Sequence, residues 1–323
     1  MEKLTVSAAP HIKSGNSTTK VMLAVILALL PTTIVGCVYF GLSAVLVVVV
    51  GVATAVVCEW AYQKIMHQKV KIKDLSAVVT GLLVALNLPS TTPLWIVALA
   101  SAIAIIIAKQ LFGGIGYNFA NPALVGRIVV TLCFTGETSN YLLPFEKAVD
   151  ASASASVDAV SGATMLPMIN AGEKLPEFWK VFLGLQGGAI GEVCSLALIV
   201  GGIYLMVTKT ISKEIPLSYI LTTFVLTALL GHNPVYSVFS GGLLLGAIFM
   251  ATDYVTSPMT KKGKIIFGIG CGVITALIRI YGSNPEGVSY AILFMNVLTP
   301  LINSATMKKS KFAYHNGKKE AKK

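Results

Sequence analysis

The sequence has few charged residues. Asp, Glu, Lys and Arg make up only 12% of its 323 residues, whereas they make up about 25% of a typical soluble domain. This shortage excludes an ordinary water-soluble domain. Basic residues that flank membrane spans explain the net charge of +11 more simply than nucleic-acid binding does. We therefore expect no nucleic-acid partner.

Cysteine and histidine are also scarce, with five and four residues. The cysteines are scattered singly along the chain. Because the sequence has neither a Cys-x-x-Cys motif nor a Cys/His cluster, it does not predict a zinc site held by the chain. Single cysteines in apolar segments are commonly just small buried residues.

Long apolar runs, in contrast, are abundant. Hydrophobic residues make up 55% of the chain, and the mean hydropathy is +0.77. Each run is long enough, or nearly so, to cross a bilayer as a helix. We therefore predict an all-α polytopic membrane protein with about ten transmembrane helices, whose approximate limits are 21–42, 43–62, 75–89, 93–112, 122–137, 184–207, 216–231, 236–253, 264–281 and 288–307.

The distribution of basic residues predicts the orientation of these spans. With both termini in the cytoplasm, 21 of the 25 lysines and arginines fall on the inner side, as the positive-inside rule requires. We expect a multi-pass protein of the cell membrane, in contact with lipid, with one long outer loop that is a candidate for function. The predicted parts are a cytoplasmic segment (1–20), a first five-helix membrane repeat (21–137), the outer loop (138–183), a second five-helix repeat (184–307) and a basic cytoplasmic tail (308–323).

The two groups of spans share a pattern. Segments 81–93 and 246–258 both open with Gly and close with Pro twelve residues later, and an Asn-Pro pair follows each of them. On the predicted topology the copies lie on opposite faces, which indicates two inverted five-helix repeats. Breaks of this kind free backbone groups that need partners, and they usually line a cavity. Asn87 and Asn121 are therefore candidates for a cavity or ion path, with a structural kink as the alternative.

Residues 150–167 interrupt the apolar chain with the stretch DASASASVDAVSGATMLP, which contains Thr164. A threonine needs a base to act as a nucleophile, and no histidine is near it in the sequence, so hydrolase chemistry is not indicated. The stretch also has neither a P-loop lysine nor a Gly-x-Gly-x-x-Gly motif. A small-residue outer loop that presents one hydroxyl suits modification by another enzyme. In that case Asp158 could orient the hydroxyl or a metal–nucleotide donor.

A seven-residue motif in this stretch carries a resemblance to a known family. Its sequence, DAVSGAT, is similar to the flavinylation signature Asp-x-x-[Ser/Thr]-Gly-Ala-Thr. The membrane stretches YNFANPALVGR (117–127) and FMATDYVTSP (249–258) resemble the same family, which comprises the RnfD subunits of the Rnf complexes and their counterparts in the sodium-pumping NADH:quinone reductases. The short segment before the first span resembles the RnfD subunits more closely. The motif residues are Asp158, Ser161, Gly162, Ala163 and Thr164.

The resemblance implies a function in electron transport. A separate flavin transferase would attach FMN to Thr164 through a phosphoester bond, and a noncovalent riboflavin is expected in the membrane part. The chain would pass electrons within a complex that couples electron transfer between ferredoxin and NAD to the movement of Na⁺ or H⁺ across the membrane. Because one flavin subunit does not take electrons from soluble ferredoxin alone, its expected partners are the other membrane and peripheral subunits of the complex.

Charged residues within the predicted spans form a second set of candidates. Asp253 and Arg279 are candidates for the ion path, since charged groups inside membrane spans are often functional. For Arg279 a structural or flavin-phosphate role is the preferred alternative. We expect Glu59, Lys109 and Arg127, near the ends of their spans, to reach the membrane interface with their charged groups.

Two other functions stay open from the sequence. Inverted five-helix repeats also suit a channel or secondary transporter for a small solute, with the outer loop as a linker. A purely structural membrane subunit with an unmodified loop is the third interpretation. Neither of these proteins would contain flavin, and the channel would work without partner subunits.

Overall fold

The computed structural model describes residues 17–145, 176–282 and 286–307, and this part of the chain contains helices and no strand. Two stretches of π-helix, Ala104–Gln110 and Gly246–Met250, continue α3 and α10, and a short 3-10 turn, Ile72–Asp74, precedes α2. The predicted all-α class is confirmed. The helices are α1 (Thr18–Ile65), α2 (Ser76–Leu86), α3 (Leu94–Ile103), α4 (Pro122–Cys133), α5 (Thr135–Thr138), α6 (Phe178–Leu183), α7 (Ser195–Val207), α8 (Glu214–Leu229), α9 (Pro234–Phe239), α10 (Leu243–Leu245), α11 (Lys261–Tyr281) and α12 (Gly287–Thr306).

Helix α1 has 48 residues and covers the first two predicted spans. Ser17 caps its first turn, where the side chain accepts a hydrogen bond from the Lys20 backbone N–H at 3.3 Å. Gly41 interrupts the helix with a φ of 67°, a left-handed conformation that glycine adopts without steric cost. Each of the two pieces is about 35 Å long at the usual helical rise, enough for the ~30 Å hydrocarbon core of a bilayer.

Three of the described helices, α1, α11 and α12, are long and apolar enough to cross a membrane by length and composition. Five more apolar helical stretches are shorter, at 10–17 residues. The helices agree with a polytopic membrane protein. The count of ten spans and the division of the chain into two five-helix repeats stay predictions.

The predicted span 184–207 is helical only from α7 onward. The residues before α7 are rich in glycine and run as irregular backbone. This backbone has partners, because the Gly191 N–H donates to the Leu86 carbonyl at 2.8 Å and the Ile190 N–H donates to the Leu88 carbonyl at 3.2 Å. The segment thus caps the C-terminal end of α2 and satisfies carbonyls that a helix end leaves open.

Two glycines set how closely the helices around the interior pack. A methyl group on Gly201 would collide with the Ala28 carbonyl oxygen, and one on Gly126 would collide with the Ala100 carbonyl oxygen. Small residues allow such close approach between membrane helices. Helix α7 therefore packs directly on α1, and α4 on α3, around the polar interior.

Candidate site: two broken helices, a buried charge cluster and a cavity

The two predicted break points meet in the interior of the protein. Helix α2 ends at Leu86, and the π-helix after α10 ends at Met250, so both stop within their predicted spans. The Asn87 amide nitrogen lies 3.5 Å from the Met250 sulfur, and the Asn121 amide nitrogen donates to the Met250 carbonyl at 3.1 Å. Asn87 and Asn121 therefore lie where the C-terminal ends of the two helices come together.

The two breaks also have the same local structure. At each break a side chain bonds back to the carbonyl four residues earlier. Asn87 donates to the Leu83 carbonyl at 2.7 Å, and Thr252 donates to the Ile248 carbonyl at 2.6 Å. Because such bonds compete with the continuing helix, the likeness supports the predicted relation between the segments that carry the breaks.

Arg127 of α4 connects the first break to the start of α12. Its Nη1 atom donates to Asn87 Oδ1 at 3.1 Å and to Ser289 Oγ at 2.8 Å. Its Nη2 atom bonds the Glu286 carboxylate and lies 3.6 Å from Glu192 Oε1. We refer to Arg127, Glu192 and Glu286 as the arginine cluster. The planar guanidinium fork suits several oxygen partners at once.

Two further groups bear on the arginine cluster. The Tyr141 hydroxyl donates to the Glu286 carboxylate, and burial together with the nearby carboxylates raises the pKa of the Tyr141 phenol, so it remains a donor. Arg279 donates to the carbonyls of Ser237 and Ser240, the latter at 3.3 Å. These contacts stabilise the end of α9. A role of Arg279 in binding a flavin phosphate or in the ion path stays a prediction.

The expectation that Glu59, Lys109 and Arg127 reach the interface is wrong. Only 2%, 3% and 5% of their surfaces are exposed. Each side chain finds oppositely charged and hydrogen-bonding partners inside the protein, which offset the cost of removing its charge from water. The charge count also placed Arg127 on the inner side and Glu286 on the outer side, whereas the two form one buried ion pair.

Lys109 lies at the centre of the second buried network. Its ammonium donates to Glu59 Oε2 at 2.9 Å and to Ser76 Oγ at 2.6 Å. The other oxygen of Glu59 accepts hydrogen bonds from Gln110 at 2.9 Å and from Gln63 at 3.2 Å. The π-helical stretch brings the consecutive side chains 109 and 110 onto the same carboxylate, and such stretches are frequent at functional sites.

A cavity of about 630 Å³ lies beside the Lys109 network. This volume is in the range of small-molecule sites, which combine apolar walls with a few convergent polar groups. Of the predicted candidates, Asn121 and Asp253 line it, and Asp253 also accepts a hydrogen bond from Thr256 at 3.1 Å. Its polar lining residues include Ser76, Thr80, Lys109, Asn118, Asn121, Thr252 and Asp253.

Sequence reasoning missed the parts that Glu192, Glu286 and Asn296 take in the interior. Within the described ranges, the side-chain oxygens of Glu192 and both polar atoms of the Asn296 amide lack a hydrogen-bond partner. Pro300 has no N–H, so the Asn296 carbonyl also lacks its usual helical donor. An amide four residues before a proline in an apolar run is a signal that could have identified Asn296.

The segment that carries Thr164 is held at both of its described ends. The Phe145 N–H donates to the Tyr39 carbonyl at 2.8 Å, and the Tyr39 hydroxyl donates to the Leu183 carbonyl at 3.0 Å. One residue of α1 therefore contacts the chain before and after this segment. The predicted flavinylation residues lie outside the described residues; they are Asp158, Ser161, Gly162, Ala163 and Thr164.

Residues 5–311 match the model of the NQR2, RnfD, RnfE family. The chain is 45% identical to the subunit designated D in the Na(+)-translocating ferredoxin:NAD(+) oxidoreductase complex of Acetobacterium woodii, over 99% of this chain and 98% of the relative. It is 41% identical to the subunit of the same letter in the proton-translocating ferredoxin:NAD(+) oxidoreductase complex of Clostridium ljungdahlii, over 94% of each chain. It is 37% identical to the corresponding subunit in the ion-translocating oxidoreductase complex of Stutzerimonas stutzeri, over 89% of this chain and 90% of the relative. The chain therefore belongs to the NQR2, RnfD, RnfE family.

Proposed function

We propose that the chain is the RnfD subunit of an Rnf-type ion-translocating ferredoxin:NAD oxidoreductase complex, and thus a redox subunit of a membrane translocase. The extent of the similarity carries this proposal, because a relative named as this subunit of such a complex matches 99% of the chain at 45% identity. The matched family region also includes both helix breaks, the cavity and the segment with Thr164. A solute channel that works alone has no such support.

The covalent cofactor of this subunit is FMN on Thr164. The motif DAVSGAT supports the assignment, and a flavin transferase is the partner that attaches the group. Both described ends of the segment contact Tyr39 of α1, so the segment leaves the membrane part and returns to it at one place. The flavin would therefore remain close to the outer end of α1. The other subunits of the complex would exchange electrons with it there.

A noncovalent riboflavin fits the cavity. The apolar walls suit a flat three-ring system, and Lys109, Asn118 and Asp253 offer the donors and acceptors that its polar edge requires. An ammonium has three N–H donors, and Glu59 and Ser76 take two of those on Lys109. The third donor would bind a ring oxygen. The flavin supplies the redox chemistry, and these residues orient it and exclude water.

Filling the cavity is expected to remove this second flavin. Val25 lines the cavity, so Val25→Trp should reduce the riboflavin content of the purified complex at least about tenfold, the effect of about 1.4 kcal/mol of lost binding free energy. Flavins extracted with acid are measured by liquid chromatography. Val38→Trp is the matched control, since Val38 is on the same helix and its side chain is exposed. Equal riboflavin in both variants would place the flavin elsewhere.

The proposed orientation puts both termini in the cytoplasm and the Thr164 segment outside. The surplus of basic residues in the inner segments supports it. Arg127 and Lys109, which the structure buries, are two of the counted residues, and the surplus persists without them. Lipid covers the many exposed apolar side chains of α1 and α12.

Deletion of this subunit tests its place in the complex. Membrane vesicles of the producing organism without the chain are expected to lose NAD reduction by reduced ferredoxin and the coupled ion transport. The intact chain should restore both activities. So should the variant Lys180→Ala, because Lys180 and its ion-pair partner Glu177 are exposed. If vesicles without the chain keep the activity, the assignment to this complex is wrong.

A further inference from the structure

Glu192 is a buried carboxylate with unused binding capacity. It is only 2% exposed. Among the described residues, neither of its carboxylate oxygens accepts a hydrogen bond, and Arg127 Nη2 lies at 3.6 Å, beyond normal hydrogen-bond distance. A carboxylate without hydrogen bonds is costly in an apolar interior. An oxygen left open in this way is available to a proton or a small cation.

The backbone around Glu192 is shaped to hold this side chain. A methyl group on Gly242 would lie 2.5 Å from Glu192 Oε1, so only glycine leaves room for the carboxylate there. The neighbouring Gly191 N–H is bonded to the end of α2 at Leu86. Glu192 is thereby fixed between the broken end of α2 and the start of α10, where the structure admits no other side chain.

Charged groups from three other elements face Glu192. Arg127 comes from α4, Arg279 from α11 and Glu286 from the residue before α12, and all three act electrostatically on its carboxylate. Arg127 is shared unequally, because it bonds Glu286 directly and approaches Glu192 only to 3.6 Å. A cation on Glu192 would leave Arg127 with Glu286 as its single carboxylate partner. The cluster therefore has two arrangements, with and without a bound cation.

The arginine cluster also has a route to its surroundings. The side chain of Glu286 is 14% exposed. A small cavity of about 10 Å³, close to the volume that one water needs, is lined by Arg127, Glu286 and Ser289. Seven residues along α12 from Ser289, on the same face of the helix, lies the buried Asn296 amide, which lacks a partner in the described part of the chain.

We propose that Glu192, together with Glu286, is the site that accepts the coupling cation in this subunit, and that Arg127 drives its release. The cation is a proton or Na⁺, both of which bind carboxylate oxygens. A proton would come from water next to Glu286 and return to water after release. The inference rests on the proposed function for the fact of ion transport, and on the buried, hydrogen-bond-free carboxylate for its position.

Labelling with dicyclohexylcarbodiimide tests the site in the complete complex. The reagent modifies protonated carboxyl groups in apolar surroundings. We expect modification of Glu192, found by mass spectrometry of its peptide. Loss of the modification on addition of NaCl, but not KCl, would identify a Na⁺ site. A modification that ignores Na⁺ and decreases as the pH rises would identify a proton site.

Glu59 is the internal control in the same sample. It is as deeply buried as Glu192, but its oxygens bind Lys109, Gln63 and Gln110, so it should stay ionised and unmodified. An unmodified Glu192, or equal modification of both residues with equal response to Na⁺ and pH, would overturn the proposal.

A variant separates this proposal from the proposed function. Glu192→Gln should keep electron transfer from ferredoxin to NAD and lose ion transport in vesicles. Unchanged ion transport in this variant would also overturn the proposal, while electron transfer in the same vesicles reports independently on the function of the complex. If the variant does not assemble, labelling of the wild-type complex still decides.

Discussion

Replacing Thr164 by alanine is expected to remove all covalently bound flavin from the chain. The threonine hydroxyl is the atom that would form the phosphoester bond, and alanine has no atom in its place. Denatured wild-type protein on a gel should fluoresce as flavoproteins do, and Thr164→Ala should not fluoresce. Mass spectrometry of the peptide that contains residue 164 should show FMN in the wild type alone.

Two matched variants make this result specific. Ser156→Ala removes a hydroxyl from the same segment, outside the DAVSGAT motif, and should keep the full fluorescence. Thr164→Ser keeps a hydroxyl at the same position and should retain more flavin than Thr164→Ala. Fluorescence that persists in Thr164→Ala would place the flavin on another residue. No fluorescence in the wild type, with the flavin transferase co-expressed, would contradict a covalent flavin altogether.

The breaks in the helices were predictable because their causes are local. Proline and glycine disturb a helix wherever they occur, so the segments 81–93 and 246–258 showed the breaks before the structure did. The side chains that follow the breaks, Asn87 and Thr252, bond back within their own turn. The motif around Thr164 is local too, because a modifying enzyme reads a short stretch of chain.

The arginine cluster was not predictable in the same way. Arg127 and Glu286 are 159 positions apart in the sequence, and Arg127 and Glu192 come together only through tertiary packing. A residue near the end of an apolar run looks like a side chain that reaches the interface. Helix α4 has only 12 residues, however, so its sixth residue, Arg127, lies inside the protein. The length of a short helix cannot be read from hydropathy when apolar loops flank it.

Replacing Arg127 by alanine is expected to cost the largest stability of any single change in the described interior. The change leaves the Glu286 carboxylate without its buried partner and exposes Asn87 and Ser289 to the same loss. Removing one member of a buried ion pair costs about 3–5 kcal/mol. The purified subunit or complex should lose its monodisperse state at a clearly lower temperature than the wild type. Arg127→Lys should lie between the two, because an ammonium lacks the guanidinium fork.

An exposed pair gives the matched comparison for this measurement. Lys180 and Glu177 lie 3.8 Å apart with largely exposed side chains, so Lys180→Ala should change stability by no more than about 0.5 kcal/mol. Equal thermal stability of Arg127→Ala and Lys180→Ala would show that the arginine cluster is not a structural link between α4 and α12.

Neutralising the whole arginine cluster separates stability from ion transport. The triple variant Arg127→Met, Glu192→Gln, Glu286→Gln leaves no buried charge unpaired in the cluster, and apolar or neutral replacements of buried ion pairs are often tolerated. It should therefore be more stable than Arg127→Ala alone. Ion transport should nevertheless stay absent, because the carboxylates that would accept the cation are gone. Transport that returns together with stability would mean that the charges serve the fold alone.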